Sequence, residues 1–209
     1  MTLFGEMRNE LILLDGGELH YQPEWLDGHA ADSLLSGLLA AVEWEQPELL
    51  LGGESVPVPR LVAWYADPGI CYCYSGHTHR PRPWTPLLTQ IRSRIEQAVG
   101  QSFNGVLLNL YRDGSDAMGW HSDDEPELGR NPVIASLSLG CERRFDLRRC
   151  GEGAMRHSLW LQHGSLLVMR GETQHNWQHR IARCSKTLRP RLNLTFRHLR
   201  AGVERPDGR

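Results

Sequence analysis

Apolar residues recur along this chain at two periods, and the change falls near residue 103. In HAADSLLSGLLAAVE (29–43) they return every three to four positions, which predicts a helix with one apolar face. WTPLLTQIRSRIEQAVG (84–100) repeats the pattern. Thr85 suits its cap, Pro86 its first turn and Gly100 its end. Beyond residue 103 the runs shorten. FNGVLLNLY, NPVIASLSLG, RRFDLRR, HSLWLQHGSLLVM, HNWQHRI and RLNLTFRHL are strand-like segments parted by turn residues, the spacing of an all-β sandwich or jelly roll. Two more strand signals come earlier: ELILLDGGELHY (10–21), a hairpin about its Asp-Gly-Gly, and residues 49–66, strands around a Gly-Gly turn with Pro57 and Pro59 marking an edge. The expected class is α+β, helices before and sheets after, with the chemistry in the second half and a frayed tail at 201–209.

Length and composition fit one substantial domain, at 209 residues and 40% apolar. No run of 18 apolar residues exists, so no membrane span is expected. MTLFGEMRNE has no basic stretch followed by an apolar core, so no secretory signal is expected either; the expectation is a cytoplasmic monomer, nuclear in a eukaryote. Cys71, Cys73, Cys141, Cys150 and Cys184 are odd in number and lack C-x-x-C spacing, which reads as free thiols. Charge changes the picture more. Residues 1–60 hold 2 Lys+Arg against 11 Asp+Glu (2 − 11 = −9), and residues 141–200 hold 13 against 4 (13 − 4 = +9). Either the second half offers a basic face to an anionic partner or the two halves neutralise each other across an internal contact. All the basic residues but Lys186 are arginine, the side chain suited to a bidentate grip on phosphate or carboxylate.

The stretch GWHSDDE (119–125) packs His121, Asp123, Asp124 and Glu125 into five residues. In an extended chain His121 and Asp123 point the same way and can hold one cation between them. A metal also offsets the crowding of charge. Two histidines and one carboxylate leave open positions and suit non-haem Fe(II) oxygen chemistry. His175 and His179, in QHNWQHRI, are both candidates for the third ligand. The alternative is a solvated acidic loop. Further on, RLNLTFR alternates Arg191, Asn193, Thr195 and Arg197 toward one face. Arginines pointing into a β-core require an anionic partner, and a dicarboxylate would satisfy both. The alternative is an edge strand with its arginines in solvent.

NLYRDGSDAMGWHSDDE (109–125), SLSLG (136–140), HGSLLVM (163–169), WQH (177–179) and PRLNLTFR (190–197) together resemble the AlkB family. The resemblance extends upstream through VPR (58–60), DPGICYCYSG (67–76) and PWTPLL (83–88), covers roughly residues 50–200 in order, and looks closest to the branch with the eukaryotic duplex-DNA repair homologues. It implies a single Fe(II)/2-oxoglutarate-dependent dioxygenase domain that uses O₂. In it, residues 1–102 form an N-terminal extension and α/β nucleotide-recognition lid, and residues 103–200 form a double-stranded β-helix (jelly-roll) core. It implies oxidative demethylation of bases such as 1-methyladenine or 3-methylcytosine in nucleic acid, DNA favoured. Carried over by position, the iron ligands are His121, Asp123 and His179. Asn109, Tyr111, Arg191, Asn193, Thr195 and Arg197 resemble the 2-oxoglutarate pocket, with Arg197 clamping the distal carboxylate and Arg191 near the keto-acid end and Asp123. Tyr72 and Tyr74 resemble the aromatic pair lining the base pocket. Asp124 and Glu125 resemble the acidic residues at the edge of the damaged base, and Arg60 of the VPR block falls on the substrate side.

The chain departs from the resemblance at LLLGGESVPVPR, where the duplex-type relatives carry a bulky aromatic wedge. Leu51, Gly52 and Gly53 stand there instead. Unstacking a base costs a few kcal/mol, so single-stranded substrate is expected to be preferred. The loop RRCGEGAMR (148–156) is also short. The residues alone leave open the same chemistry on RNA or a protein side chain, and a non-catalytic binding module.

Overall fold

The period change marks where the two long helices stop, not where the sheet begins. The computed structural model describes residues 9–70, 72–74, 77–79, 81–186 and 189–200, with the backbone alone at 51, 72–74 and 77–79. β1 (Glu10–Leu14) and β2 (Gly17–Gln22) form the expected first hairpin. α1 (Gly28–Ala41) is capped by Asp27, whose carboxylate accepts from Ala30 N at 2.8 Å. β3 (Glu48–Leu51) and β4 (Glu54–Pro57) pair around Gly52 and Gly53 at φ 61° and 89°, a left-handed turn that favours glycine. β5 (Leu61–Ala66) follows, then a short hairpin of β6 (Tyr72–Tyr74) and β7 (His77–His79). α2 (Pro86–Val99) has all three expected end signals. Thr85 Oγ1 accepts from Leu88 N, Pro86 opens the helix, and Gly100 closes it in the left-handed region.

The remaining strands are β8 (Gly105–Tyr111), β9 (Met118–His121), β10 (Ile134–Gly140), β11 (Arg143–Arg149), β12 (His157–Leu161), β13 (Ser165–Gly171), β14 (Trp177–Ile181) and β15 (Arg191–Arg197), with a one-turn helix α3 (Thr173–Asn176) before β14. Among the described residues seven strands form one antiparallel sheet, β1-β2-β13-β10-β15-β8-β5, and four form a second, β12-β11-β14-β9. β1, β2 and β5, all from the first 66 residues, therefore pair into the same sheet as strands from beyond residue 103. The order "helices before, sheets after" is corrected to this extent. The β3–β4 and β6–β7 hairpins join neither large sheet.

Two apolar layers explain the stacking. α1 and α2 bury Leu34, Leu38, Leu88, Ile91 and Ile95 against Leu108, Leu137 and Leu194 of the seven-stranded sheet. The other face of that sheet meets the smaller one, with Tyr21, Trp64, Leu167 and Met169 against Phe145, Leu147, Trp177 and Ile181. This is a mostly antiparallel two-sheet fold with few helices, consistent with a jelly roll. β15 lies between β10 and β8, so it is a central strand and not an edge. Its Leu192, Leu194 and Phe196 pack toward the helices, completely buried. Each such burial contributes about 1.5–3 kcal/mol. A slip of one residue would reverse every side chain, so this alternation fixes which way Arg191, Asn193, Thr195 and Arg197 point: between the sheets.

Candidate active site

Strand register gathers polar side chains into one band between the sheets. β15 pairs with β8 so that Arg191 opposes Tyr111 and Asn193 opposes Asn109; it pairs with β10 so that Asn193 opposes Ser138 and Thr195 opposes Ser136. Opposed residues in an antiparallel ladder share a face. Asn193 Nδ2 donates to Ser136 Oγ at 2.7 Å, Thr195 Oγ1 donates to Asn193 Oδ1 at 2.8 Å, and Arg191 Nη2 donates to Ser138 Oγ at 2.9 Å. All six residues expected to hold a dicarboxylate line one pocket, together with His121, Asp123 and His179. Ser136, Ser138 and Gln174 were not foreseen. The alternating serines of SLSLG carried a signal for the first two; nothing local marked Gln174.

His121 ends β9, His179 lies in β14, and the two are paired across the ladder. Asp123 follows two residues after His121. Ligating atoms of all three lie within 4.8 Å of one another. His175, the other candidate, is exposed instead, its Nε2 accepting from Asn131 N at 3.2 Å. His121 Nδ1 is 2.9 Å from Gly119 O. A carbonyl only accepts, so Nδ1 carries the proton and Nε2 is left as the donor to a metal. Asp123 N donates to Gln174 Oε1 at 2.9 Å, which fixes the backbone of the carboxylate ligand. The His179 ring stacks on Phe145 at 5.0 Å.

The electrostatics suit a divalent metal. Burial drives His179 down to about 3, with the adjacent His121 adding to the shift. Burial also lowers His121, against the pull of Asp123. Burial on its own would raise Asp123, but Arg197 and then the two histidines hold it at about 2. At neutral pH the set is two uncharged imidazoles and one carboxylate, ready to coordinate without first losing protons.

The two arginines of β15 lie in different surroundings. Arg197 Nη2 donates to Asp123 Oδ1 at 2.7 Å, with both side chains buried. It therefore sits beside the candidate metal ligands. Arg191 lies at the other end of the strand, 2% exposed, its guanidinium 5.2 Å from the centre of the Tyr111 ring. Among the described residues, Arg191 Nε and Nη1 are buried with no hydrogen-bond acceptor in bonding geometry. Burial lowers its pKa, opposed by Tyr111 and reinforced by Arg143, the mark of a cation short of counter-charge. The expectation that Arg191 lies beside Asp123 is corrected: the strand carries its arginines at opposite ends, and only Arg197 reaches the carboxylate.

Of the residues expected to meet substrate, Asp124 is exposed and Glu125 half-buried. Arg60 is buried and donates from Nε to Asn109 Oδ1 at 2.9 Å, which fixes one wall of the pocket. Tyr72 and Tyr74 both lie on β6; their side chains are outside the described residues.

The sequence profile of the 2OG-Fe(II) oxygenase superfamily matches residues 18–197. The chain is 42% identical over 184 residues to the bovine alpha-ketoglutarate-dependent dioxygenase alkB homolog 3, covering 84% of this chain and 64% of that protein. It is 34% identical over 216 residues to the DNA oxidative demethylase ALKBH2 of Arabidopsis thaliana, covering 91% of this chain and 69% of that protein. The solved structure of OsALKBH1 superposes with a TM-score of 0.64 at 18% identity, over 90% of this chain and all of that one, a likeness of fold. With its profile match and its likeness to the Arabidopsis protein, the chain belongs to the 2OG-Fe(II) oxygenase superfamily and, within it, to the AlkB homologues.

Proposed function

We propose that this protein is an Fe(II)- and 2-oxoglutarate-dependent dioxygenase that demethylates N-alkylated bases in nucleic acid, DNA in preference to RNA. One observation carries the reading: a His-Asp-His donor set shares a pocket with a buried arginine, Arg191, two of whose nitrogens have no acceptor among the described residues. Fe(II), 2-oxoglutarate and O₂ together supply the oxidation, yielding succinate and CO₂ and a hydroxylated N-methyl group that leaves as formaldehyde. The chain does the rest. His121, Asp123 and His179 hold the metal. Arg197 keeps Asp123 ionised and aimed. Arg191 grips the distal carboxylate of the cosubstrate with its two spare nitrogens, beside Tyr111. Asn109, Asn193 and Thr195 line the space between, with Arg60 bracing Asn109. Tyr72 and Tyr74 stack the extruded base, and Asp124 and Glu125 attract a cationic lesion. Succinate release with and without a 1-methyladenine or 3-methylcytosine oligonucleotide tests this. Release that ignores the oligonucleotide would point to another substrate, and no release at all to a binding module.

The β3–β4 and β6–β7 hairpins, which join neither large sheet, form the recognition lid in this reading. Gly52 and Gly53 are exposed at the tip with open space around them, and Leu50 is 75% exposed on β3. The side chain of Leu51 lies outside the described residues. A leucine fills less of a vacated base position than an aromatic ring, and duplex substrate carries an eversion cost of a few kcal/mol. Single-stranded 1-methyladenine and 3-methylcytosine are therefore expected to react faster than the same lesions in duplex. Gly52 is at φ 61°, where phenylalanine would be strained, so Leu51→Phe is the better gain-of-function variant. It is expected to raise the duplex rate relative to the single-strand rate. Initial rates on matched oligonucleotides decide; a native preference for duplex would mean that a wedge already exists.

A further inference from the structure

We propose that the outer face of the four-stranded sheet is a docking surface for a single-stranded nucleic-acid backbone, built from Trp120, Arg144, Arg148, Trp160 and Arg180. The proposal rests on the reading of the pocket as a base-demethylating site. Alternation along β11 and β14 turns Phe145, Leu147 and His179 inward, so Arg144, Asp146, Arg148 and Arg180 face the other way. Register brings them together: Arg144 opposes Trp160, Asp146 opposes Arg180, and Arg148 opposes Gln178.

These arginines are anchored. Asp146, fully buried, pairs with Arg144 at 2.7 Å and with Arg180 at 2.9 Å. Arg148 donates from Nε and Nη2 to Gln178 Oε1 at 2.9 and 2.8 Å. The guanidinium carbons of Arg148 and Arg180 lie over the Trp120 ring, 4.5 and 4.4 Å from its centre. Three cations against one carboxylate leave a balance of 3 − 1 = +2 on this patch. Each arginine has five N–H donors, and these bonds leave Nη1 of Arg144, Nη1 of Arg148 and both Nη atoms of Arg180 without a partner among the described residues. Guanidinium groups already held in place lose little freedom on gripping phosphate.

Trp160 then selects the class of partner. It is 56% exposed, a large aromatic surface set beside the arginines. A base stacks on such a ring only if its own face is free, as in a single strand; a duplex keeps its faces covered. The surface also lies close to the pocket, because Arg180 directly follows His179 and Trp120 directly precedes His121, and both histidines line it. A strand lying on this sheet would continue the one whose base enters the pocket. The positive balance of residues 141–200 thereby acquires a place in the fold.

The test measures binding of unmodified oligothymidylate of about 20 nucleotides, longer than the roughly 4–16 such platforms cover, by fluorescence anisotropy across a salt series. Arg148→Gln and Trp160→Ala are chosen because both leave the ion pairs of Asp146 intact. Arg148→Gln is expected to reduce the slope of log affinity against log salt by about 0.7, one phosphate contact. Trp160→Ala is expected to weaken binding about tenfold with the slope kept, and to leave duplex binding unmoved. Native affinity and slope in both variants would overturn the proposal. So would an equal loss on duplex in Trp160→Ala, or displacement of the oligonucleotide by polyglutamate at matched charge, which would assign the face to an acidic protein. Turnover of a methylated oligonucleotide by the unaltered protein is scored separately: its absence sinks the pocket reading, while the binding series still judges the surface.

Discussion

Replacing Arg191 with methionine is expected to make the ligand-free protein more stable while almost abolishing its hold on 2-oxoglutarate. The two effects have one cause. The Arg191 guanidinium is buried with two nitrogens lacking acceptors, so the empty fold bears a desolvated charge. Replacing buried charge by an apolar side chain of similar volume is commonly neutral or stabilising, here by about 1 kcal/mol or more. The cosubstrate loses a charge-assisted pair of hydrogen bonds, together about 3 kcal/mol or more, which is roughly 100-fold in affinity. Arg197→Met should behave in the opposite sense. It strips Asp123 of its buried partner, and breaking such a pair costs about 3–5 kcal/mol. Urea unfolding without ligand and succinate formation against 2-oxoglutarate concentration separate the two. If Arg191→Met loses stability and keeps its cosubstrate dependence, the two arginines have been assigned to the wrong ends.

Metal binding should divide the histidines just as sharply. His121→Ala, Asp123→Ala and His179→Ala are each expected to abolish turnover. Loss of an outer partner of a ligand typically costs about 10–100-fold in metal affinity. Loss of a ligand itself should exceed that, while Gln174→Ala, which frees the backbone of Asp123, should fall within it. His175→Ala should bind Fe(II) as the native protein does, because its ring is occupied at Asn131 on the surface. Anaerobic equilibrium dialysis is the measurement. Iron lost in His175→Ala and retained in His179→Ala would put the third ligand at 175.

The periodic parts of the chain were legible because their signals are local. Thr85, Pro86 and Gly100 bound α2 as expected, and alternation in RLNLTFR put Arg191, Asn193, Thr195 and Arg197 on one face of β15, though it did not tell which face is inward. The share of the first 66 residues in the main sheet was not legible, because pairing of β2 with β13 and of β5 with β8 is set by contacts far apart in sequence. The same holds within the site. The residue types of the pocket could be read from the chain. Which arginine meets Asp123 depends on how β15 runs against β9 across the two sheets, and periodicity carries no information on that. Gln174 reaches Asp123 N from a one-turn helix with no sequence pattern of its own.

β9 is the margin of its sheet and pairs with β14 at two positions only, with an irregular register between them. Such a margin is held by few hydrogen bonds and opens readily on its own, without the rest of the molecule. Two of the three candidate metal donors belong to that margin or to the turn just after it, and the third lies on the interior strand β14. An ion bound there would therefore also be a reversible cross-link that ties this marginal strand to an interior one of the same sheet. Because it binds the closed form and not the open one, its free energy of binding adds directly to the cost of peeling β9 away. Metal supply would then govern the lifetime of this region as well as the proposed chemistry, and a metal-starved protein is expected to exchange its β9 amides faster than the metal-loaded one.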